Sequence, residues 1–503
     1  MKTAYRIIVE PQLLNIGREL PYMRPVLLVV MDGVGLREEV KGNAFKKAET
    51  PNLDSLMEKE YRKLEASEEA VGLPEGYTGN SEVGHLHLGA GRRVSQRLKR
   101  INEAIEKNEL RDKKALQNAL KRAEKNNTAV HLAGIISDGG IHGHIDHLKA
   151  LLETAEDYDI ENIWIHCFTD GRDVDPKSAE KFIEEVEGLK PENAEIATVM
   201  GRYYSMDRDE NWDRTHKAYQ AMTEAEGFRF SRPEEAVEKA YEDGEYDYFI
   251  QPSVSENYSG MKDEDELIFY NFRADRERQI ADAFIKEGFQ KFKAEVKPNF
   301  TSMFLYRREF DNPVLFKKKI VENTLGEKIE EAGYSQLRVA ESQKKPHVTY
   351  FFNGQRELEF EHEDREFIES DKIKAYNQKP EMHANEITET VLDAMEKGEH
   401  EFILLNYANC DLVGHTGEME AVKTAVETVD RNIGRLVEKL GETDYVGLIT
   451  SDHGNCEDLG TQENPKTSHT LNPVPLIVIG VEPEIEKGEL WEVEKIIERC
   501  LKI

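Results

Sequence analysis

Cysteine is scarce in this chain: four residues among 503, at positions 167, 410, 456 and 500. No two stand in C-x-x-C spacing, which excludes a disulfide framework and fits a reducing compartment. Long apolar runs are missing too. None approaches the roughly 18 residues that a bilayer span requires. The first 24 residues carry Lys2, Arg6, Glu10 and Pro11, too polar a set for a secretory signal. The expectation is a cytoplasmic protein with a small N-terminal extension over 1–23 and no membrane partner. Positive charge is in deficit as well. With 67 Lys+Arg against 99 Asp+Glu the net charge is −32, which argues against nucleic acid or anionic lipid as a partner. No internal repeat or low-complexity tract interrupts the pattern.

What the chain does contain is a series of short apolar, β-branched runs closed by Asp and Gly. They are "RPVLLVVMDGVG" (24–35), "AVHLAGIISDGG" (129–140), "NIWIHCFTDGRD" (162–173), "EFILLNYANCD" (401–411) and "DYVGLITSDHGN" (444–455). Each reads as a buried strand. Charged helical patterns over 97–125 and 419–440 lie between them. Such alternation predicts α/β architecture with mainly parallel sheets, and the length predicts two or three domains. Boundaries are expected near 93–97 and 311–320. Ligands of parallel sheets sit beyond the carboxyl ends of the strands, where Asp32, Asp138, Asp170, Asp411 and Asp452 fall. Five such endings predict a lined crevice.

Asp and His recur in a pattern of metal ligands. "MDGVG" offers Asp32, "CDLVGHTG" offers Asp411 and His415, "SDHGN" offers Asp452 and His453, and "KTSHTLNPVP" offers His469. The i, i+4 spacing puts Asp411 and His415 on one side of a helical turn. Carboxylate and imidazole donors without thiolate suit Mn²⁺, Mg²⁺ or Zn²⁺, and six donors suffice for a two-ion site, which favours phosphoryl chemistry. Arginines mark a second pattern: Arg172 in "TDGRDVDP", Arg202 and Arg208 in "MGRYYSMDRD", Arg273 and Arg276 in "FYNFRADRER". The last two, three apart, are expected on one helix face. Arginine's planar fork matches phosphate and carboxylate; pairing with the abundant Asp and Glu is the alternative for each one. "SDGGIHGHIDH" adds His142, His144 and His147. The remaining puzzle is "YTGNSEVGHLHLGAGRR" (77–93): its Ser81, followed by Glu82, fits a helix cap as well as a nucleophile, and His85 and His87 are left to structure.

These blocks, together with "GNAFKKAETPNLD", "HVTYFFNG" and "NYANCDLVGHTG", stand in an order that closely resembles the cofactor-independent phosphoglycerate mutases of the alkaline phosphatase superfamily over roughly residues 24–480. The resemblance implies two α/β domains. An alkaline-phosphatase-like metal-binding domain would be built from both chain ends (1–95 and 319–503), with a phosphotransferase domain (96–318) inserted between them. It implies interconversion of 3-phosphoglycerate and 2-phosphoglycerate through a phosphoserine enzyme, by a cytoplasmic monomer holding two Mn²⁺, with Mg²⁺ or Zn²⁺ as alternatives. Matched by motif, Ser81 is the nucleophile; Asp32, Ser81, Asp452 and His453 match the ligands of one ion, Asp411, His415 and His469 those of the other. His142, Arg172, Asp173, Arg202, Arg208, Arg273 and Arg276 match substrate-binding positions, Asp173 also moving the proton. Lys344 matches a lysine beside the nucleophile; Lys345 adjoins it, and His347 sets the register for Lys344. Loss of glycerate to water would make a phosphatase, so closure of the arginine-bearing domain is expected. The metal motifs alone would equally fit a phosphatase, phosphopentomutase or phosphodiesterase. The inserted blocks favour the mutase.

Overall fold

The computed structural model describes residues 22–503, so the extension expected over 1–23 lies, apart from Tyr22 and Met23, outside the described residues. The chain divides into two compact units, one running to Gln96 and resuming at Ile320, the other spanning Arg97–Lys319.

The first unit is built on a seven-stranded sheet. Across it the strands run Glu363–Ile368, Gln336–Glu341, Phe402–Tyr407, Val26–Met31, Val446–Thr450, Val474–Ile479 and Arg62–Leu64. The first five are parallel, and the last two join antiparallel. Alternation of side chains explains why the central strands read as unbroken apolar runs. Val26, Leu28 and Val30 pack on one face with Ile496 and Ile497, while Leu27, Val29 and Met31 pack on the other with Val391, Val429 and Ile433. Both faces are covered, so both need apolar residues. The helix Met419–Leu440 buries Val422, Val426, Val429, Ile433 and Leu436 along one stripe, the periodicity of an amphipathic helix.

The second unit carries another seven-stranded sheet, in the order Phe228–Phe230, Ser253–Ser255, Ala194–Gly201, Ile163–Thr169, Val130–Ile135, Glu266–Phe269 and Asn299–Ser302. All neighbours are parallel except Ala194–Gly201 with Ser253–Ser255.

Two expectations need correction. The helical pattern over 97–125 is two helices, Arg97–Glu106 and Lys114–Asn126; Asn108 takes a left-handed φ of 57°, which ends the first hydrogen-bond ladder. The five strand-end aspartates divide between the two sheets: Asp32, Asp411 and Asp452 follow strands of the first, Asp138 and Asp170 strands of the second. Arg273 and Arg276 do not share a helix face. They lie in the turn before the helix Arg278–Ile285, whose cap residue is Glu277, because Phe272 N–H is still bonded to the His142 carbonyl at 2.7 Å.

Candidate active site

In the first unit three adjacent parallel strands end side by side, and each delivers an aspartate. Asp32 follows Val26–Met31, Asp452 follows Val446–Thr450, and Asp411 stands in the short helix Asn409–Gly414 after Phe402–Tyr407. All three are buried. Ser81 opens the helix Ser81–Ala90, but Asn80 is the cap, its side chain accepting from Val83 N–H at 3.0 Å. The Ser81 hydroxyl is therefore free of capping. The helix sits hard against the Asp452 loop: a Cβ on Gly84 would fall 2.5 Å from the Asp452 carbonyl, so only glycine permits this approach.

The Ser81 hydroxyl is surrounded by charge. It donates to Asp32 Oδ1 at 3.1 Å, accepts from Lys344 Nζ at 2.8 Å, and lies 3.0 Å from His453 Nε2. Lys344 Nζ also meets Asp32 Oδ1 at 2.8 Å and Asp411 Oδ2 at 2.7 Å. Lys345, by contrast, is exposed over the Phe367 ring. Burial disfavours the charge on His453, yet Asp452, Asp32 and Asp411 outweigh it and push its pKa up to about 10. Asp32 and Asp411 are buried too, which opposes their charge, but Lys344 and the histidines around them together outweigh the penalty and hold both well below the usual carboxylate range.

Several acceptors converge here. His415 Nδ1–H donates to the Thr467 carbonyl at 2.6 Å and His469 Nδ1–H to the Gly79 carbonyl at 2.9 Å. Their Nε2 atoms lie 3.2 Å apart, at 3.2 and 3.3 Å from Asp411 Oδ1. Burial, then the neighbouring His453, lowers the pKa of His469. Two imidazole lone pairs and a carboxylate oxygen thus face one another, an arrangement that suits a cation. Asp452 Oδ2 is buried without a hydrogen-bond donor. His85 Nδ1 is 3.1 Å away, but its proton goes to the Ser81 carbonyl at 2.9 Å. Three donor sets form within 4.8 Å: Asp411 with His415 and His469, Asp32 with Asp411 and His453, and Asp32 with His85 and Asp452. The donor chemistry fits divalent ions.

The second unit gathers the arginines. Arg202 is fully buried, its Nη1 donating to Asp170 at 2.6 Å and to Asp173. Asp170 accepts in addition from Ser137 Oγ at 2.7 Å and from the Arg172 and Asp173 N–H groups at 3.2 and 3.0 Å. Arg208 and Arg273 both reach Asp275, at 2.9 and 3.1 Å, and Arg276 donates to the Met206 carbonyl at 3.2 Å. Burial, then Arg202, push the His142 pKa down to about 3. Arg202 Nε and His142 Nδ1 are buried without partners, two polar atoms to which an oxyanion could be matched. Asp138 stands apart, exposed beside Lys181.

Each unit thus assembles the candidates that the sequence placed in it. Three contributors were not named from the sequence. Asn406 donates to Asp32 Oδ2 at 2.8 Å and lies 3.1 Å from His85 Nε2; Asp275 links two arginines; Glu457 contacts three site loops. His85, left open by the sequence, anchors the first helical turn. Asn406 alternates with apolar neighbours inside a strand, a signal of burial that marked it as polar where no polar residue was needed for packing. His87 is structural: Nδ1 meets the Val83 carbonyl, Nε2 accepts from Val94 N–H.

A family model described as the BPG-independent PGAM N-terminus matches residues 101–308, and one described as type I phosphodiesterase / nucleotide pyrophosphatase matches residues 275–457. Two relatives named 2,3-bisphosphoglycerate-independent phosphoglycerate mutase are each 44% identical to the chain. The one from Methanosarcina barkeri aligns over 495 residues, 95% of this chain and 96% of its own. The one from Staphylococcus epidermidis aligns over 462 residues, 90% and 92%. A solved phosphoglycerate mutase of Leishmania mexicana, determined at low cobalt concentration, is similar with a TM-score of 0.73 and 30% identity, over 95% of both chains.

Proposed function

This chain belongs to the 2,3-bisphosphoglycerate-independent phosphoglycerate mutases, an alkaline-phosphatase-like family, and on that premise we propose how its own residues carry the reaction. The enzyme interconverts 3-phosphoglycerate and 2-phosphoglycerate, a small-molecule isomerisation of glycolysis.

In this reading Ser81 takes the phosphoryl group. Its proton points at Asp32 Oδ1, while the Lys344 ammonium sits on the oxygen that gains charge. As the Oγ–P bond forms, the hydroxyl proton passes to Asp32 Oδ1 and the bond between phosphorus and the glycerate oxygen breaks; the proton returns to Oγ when the phosphoryl group leaves it. Phosphoserine is then held at the first residue of a ten-residue helix, where backbone N–H groups and the helix dipole favour an anion. Asp173 supplies a proton to the departing oxygen and removes one from the other hydroxyl, which recovers the phosphoryl group. Arg172, Arg202, Arg208, Arg273, Arg276 and His142 bind the carboxylate and phosphoryl oxygens of the substrate.

Asp32, Ser81, Asp452 and His453 would hold one divalent ion and Asp411, His415 and His469 the other; manganese is our assignment. When bound, the ions supply Lewis-acid charge that acidifies the serine hydroxyl and neutralises phosphoryl oxygens. A monomer acting in the cytoplasm is part of the same reading, resting on family resemblance. Among the described residues no helix is long and apolar enough to cross a membrane.

The observation that carries the proposal is the hydroxyl of Ser81, released from capping by Asn80 and ringed by Lys344, His453 and Asp32. Ser81→Ala should lower turnover of 3-phosphoglycerate, assayed with Mn²⁺ and without 2,3-bisphosphoglycerate, by roughly 10⁴-fold or more, and should abolish phosphoprotein in mass spectra. Near-parent turnover in this variant would overturn the phosphoserine route.

A further inference from the structure

Glu457 is a buried carboxylate whose partners come from three separate loops. Its Oε2 accepts from the Gly35 N–H at 3.0 Å and the Asn455 N–H at 2.9 Å. Its Oε1 accepts from the Thr470 hydroxyl and from Asn472 Nδ2, the latter at 2.9 Å. Gly35 lies three residues after Asp32, Asn455 two after His453, and Thr470 directly after His469. All four partners are neutral donors, so the carboxylate's acceptor capacity is filled without an ion pair. The packing leaves no slack: a Cβ on Gly35 or on Gly454 would come within 2.4 Å of the Glu457 carboxyl group.

From this arrangement we propose that Glu457 is a positioning residue that ties together the loops bearing Asp32, His453 and His469 and thereby sets the affinity of both divalent-ion sites. The inference rests on the ligand assignment of the preceding subsection. It also divides the work between the two oxygens. Oε2 joins the Asp32 loop to the His453 loop, which serve one ion. Oε1 holds the His469 loop, which serves the other. Groups that hold metal ligands in place without touching the metal commonly affect metal affinity by about 10–100-fold.

The experiment is calorimetric titration of the chelated full-length chain with MnCl₂, for the parent, Glu457→Gln and Thr470→Val. A glutamine presents one oxygen and one NH₂, so it sets a donor against one of the two donor pairs. Glu457→Gln, folded by circular dichroism in EDTA, should bind Mn²⁺ about 10–100-fold more weakly than the parent, with the KM for 3-phosphoglycerate at saturating Mn²⁺ unchanged. Thr470→Val should weaken one binding step and spare the other. Parent-like Mn²⁺ affinity in folded Glu457→Gln overturns the proposal. If that variant does not fold, Thr470→Val decides: one weakened step supports the inference, and two parent-like steps overturn it. If the parent itself takes up no Mn²⁺, the ligand assignment falls and the role of Glu457 falls with it.

Discussion

Replacing Lys344 by methionine deletes one charge from the centre of the first unit while keeping an unbranched stem of similar size. Lys344 is only 3% exposed, and its ammonium touches Ser81 Oγ, Asp32 Oδ1 and Asp411 Oδ2 at 2.7–2.8 Å. Burial opposes its charge, but Asp32 and Asp411 more than compensate and raise its pKa above the ordinary lysine value. Without it, three buried carboxylates, Asp32, Asp411 and Asp452, face the His453 imidazolium alone. Removing one partner of a buried ion pair costs about 3–5 kcal/mol, because the other charge stays buried. At about 2 °C per kcal/mol for a domain of this size, Lys344→Met should melt roughly 6–10 °C below the parent in EDTA. Excess Mn²⁺ should close part of that gap, since a ligand that binds only the native state adds stability and the variant site is more negative. Scanning calorimetry in EDTA and in MnCl₂ reads both effects. A variant that melts with the parent in EDTA would show that these carboxylates do not depend on Lys344, and the electrostatic account of the site would be wrong.

Two further outcomes follow from the second unit. Glu277 is fully buried, with one oxygen bonded to Asn271 Nδ2 at 2.8 Å and the other without a partner; burial pushes its pKa from 4.5 up to about 8. The folded state then binds more protons than the unfolded one between these values, so this stability is present below about pH 4.5 and lost as pH rises through about 8, by ~5 kcal/mol. Melting temperature should fall more steeply between about pH 6 and 9 in the parent than in Glu277→Gln, and equal slopes would refute the assignment. Arg273 is 47% exposed in its pair with Asp275, and such a pair adds ~0–1 kcal/mol to stability. Arg273→Ala should therefore leave the melting temperature unchanged but raise the KM for 3-phosphoglycerate by roughly 10–100-fold, the loss of one charge-assisted hydrogen bond; an unchanged KM would remove Arg273 from the substrate site.

The strands and the long helix were legible because burial on both faces leaves a local mark. Val26–Met31 must be apolar at every position, and the stripe from Val422 to Leu436 must repeat at helical spacing. The break at Asn108 left no such mark, since asparagine suits either a helix or a left-handed stop. Nor did the turn at Arg273 and Arg276, where spacing three apart fits a helix and a turn alike. Ser81 shows how a correct residue can be ambiguous on local grounds. Serine before glutamate reads as a cap, and only the Asn80 side chain on Val83 N–H shows that the cap lies one residue earlier.

Arg202 sharpens the contrast between pairing and binding, which the sequence presented as alternatives. Its Nη1 is committed to Asp170 and Asp173, as a structural arginine's would be. Its Nε is buried with no partner, and a buried donor left unsatisfied costs ~1–3 kcal/mol. The same guanidinium can therefore be fixed by its carboxylates and still present a nitrogen to an oxyanion. The pairing also draws Asp173, the residue proposed to move the proton, into a set position beside that donor. Arginine–aspartate pairs in an acidic chain need not be surface decoration: here one aspartate is anchored by a hydroxyl and two backbone N–H groups, which gives the arginine a fixed point from which to act on a substrate.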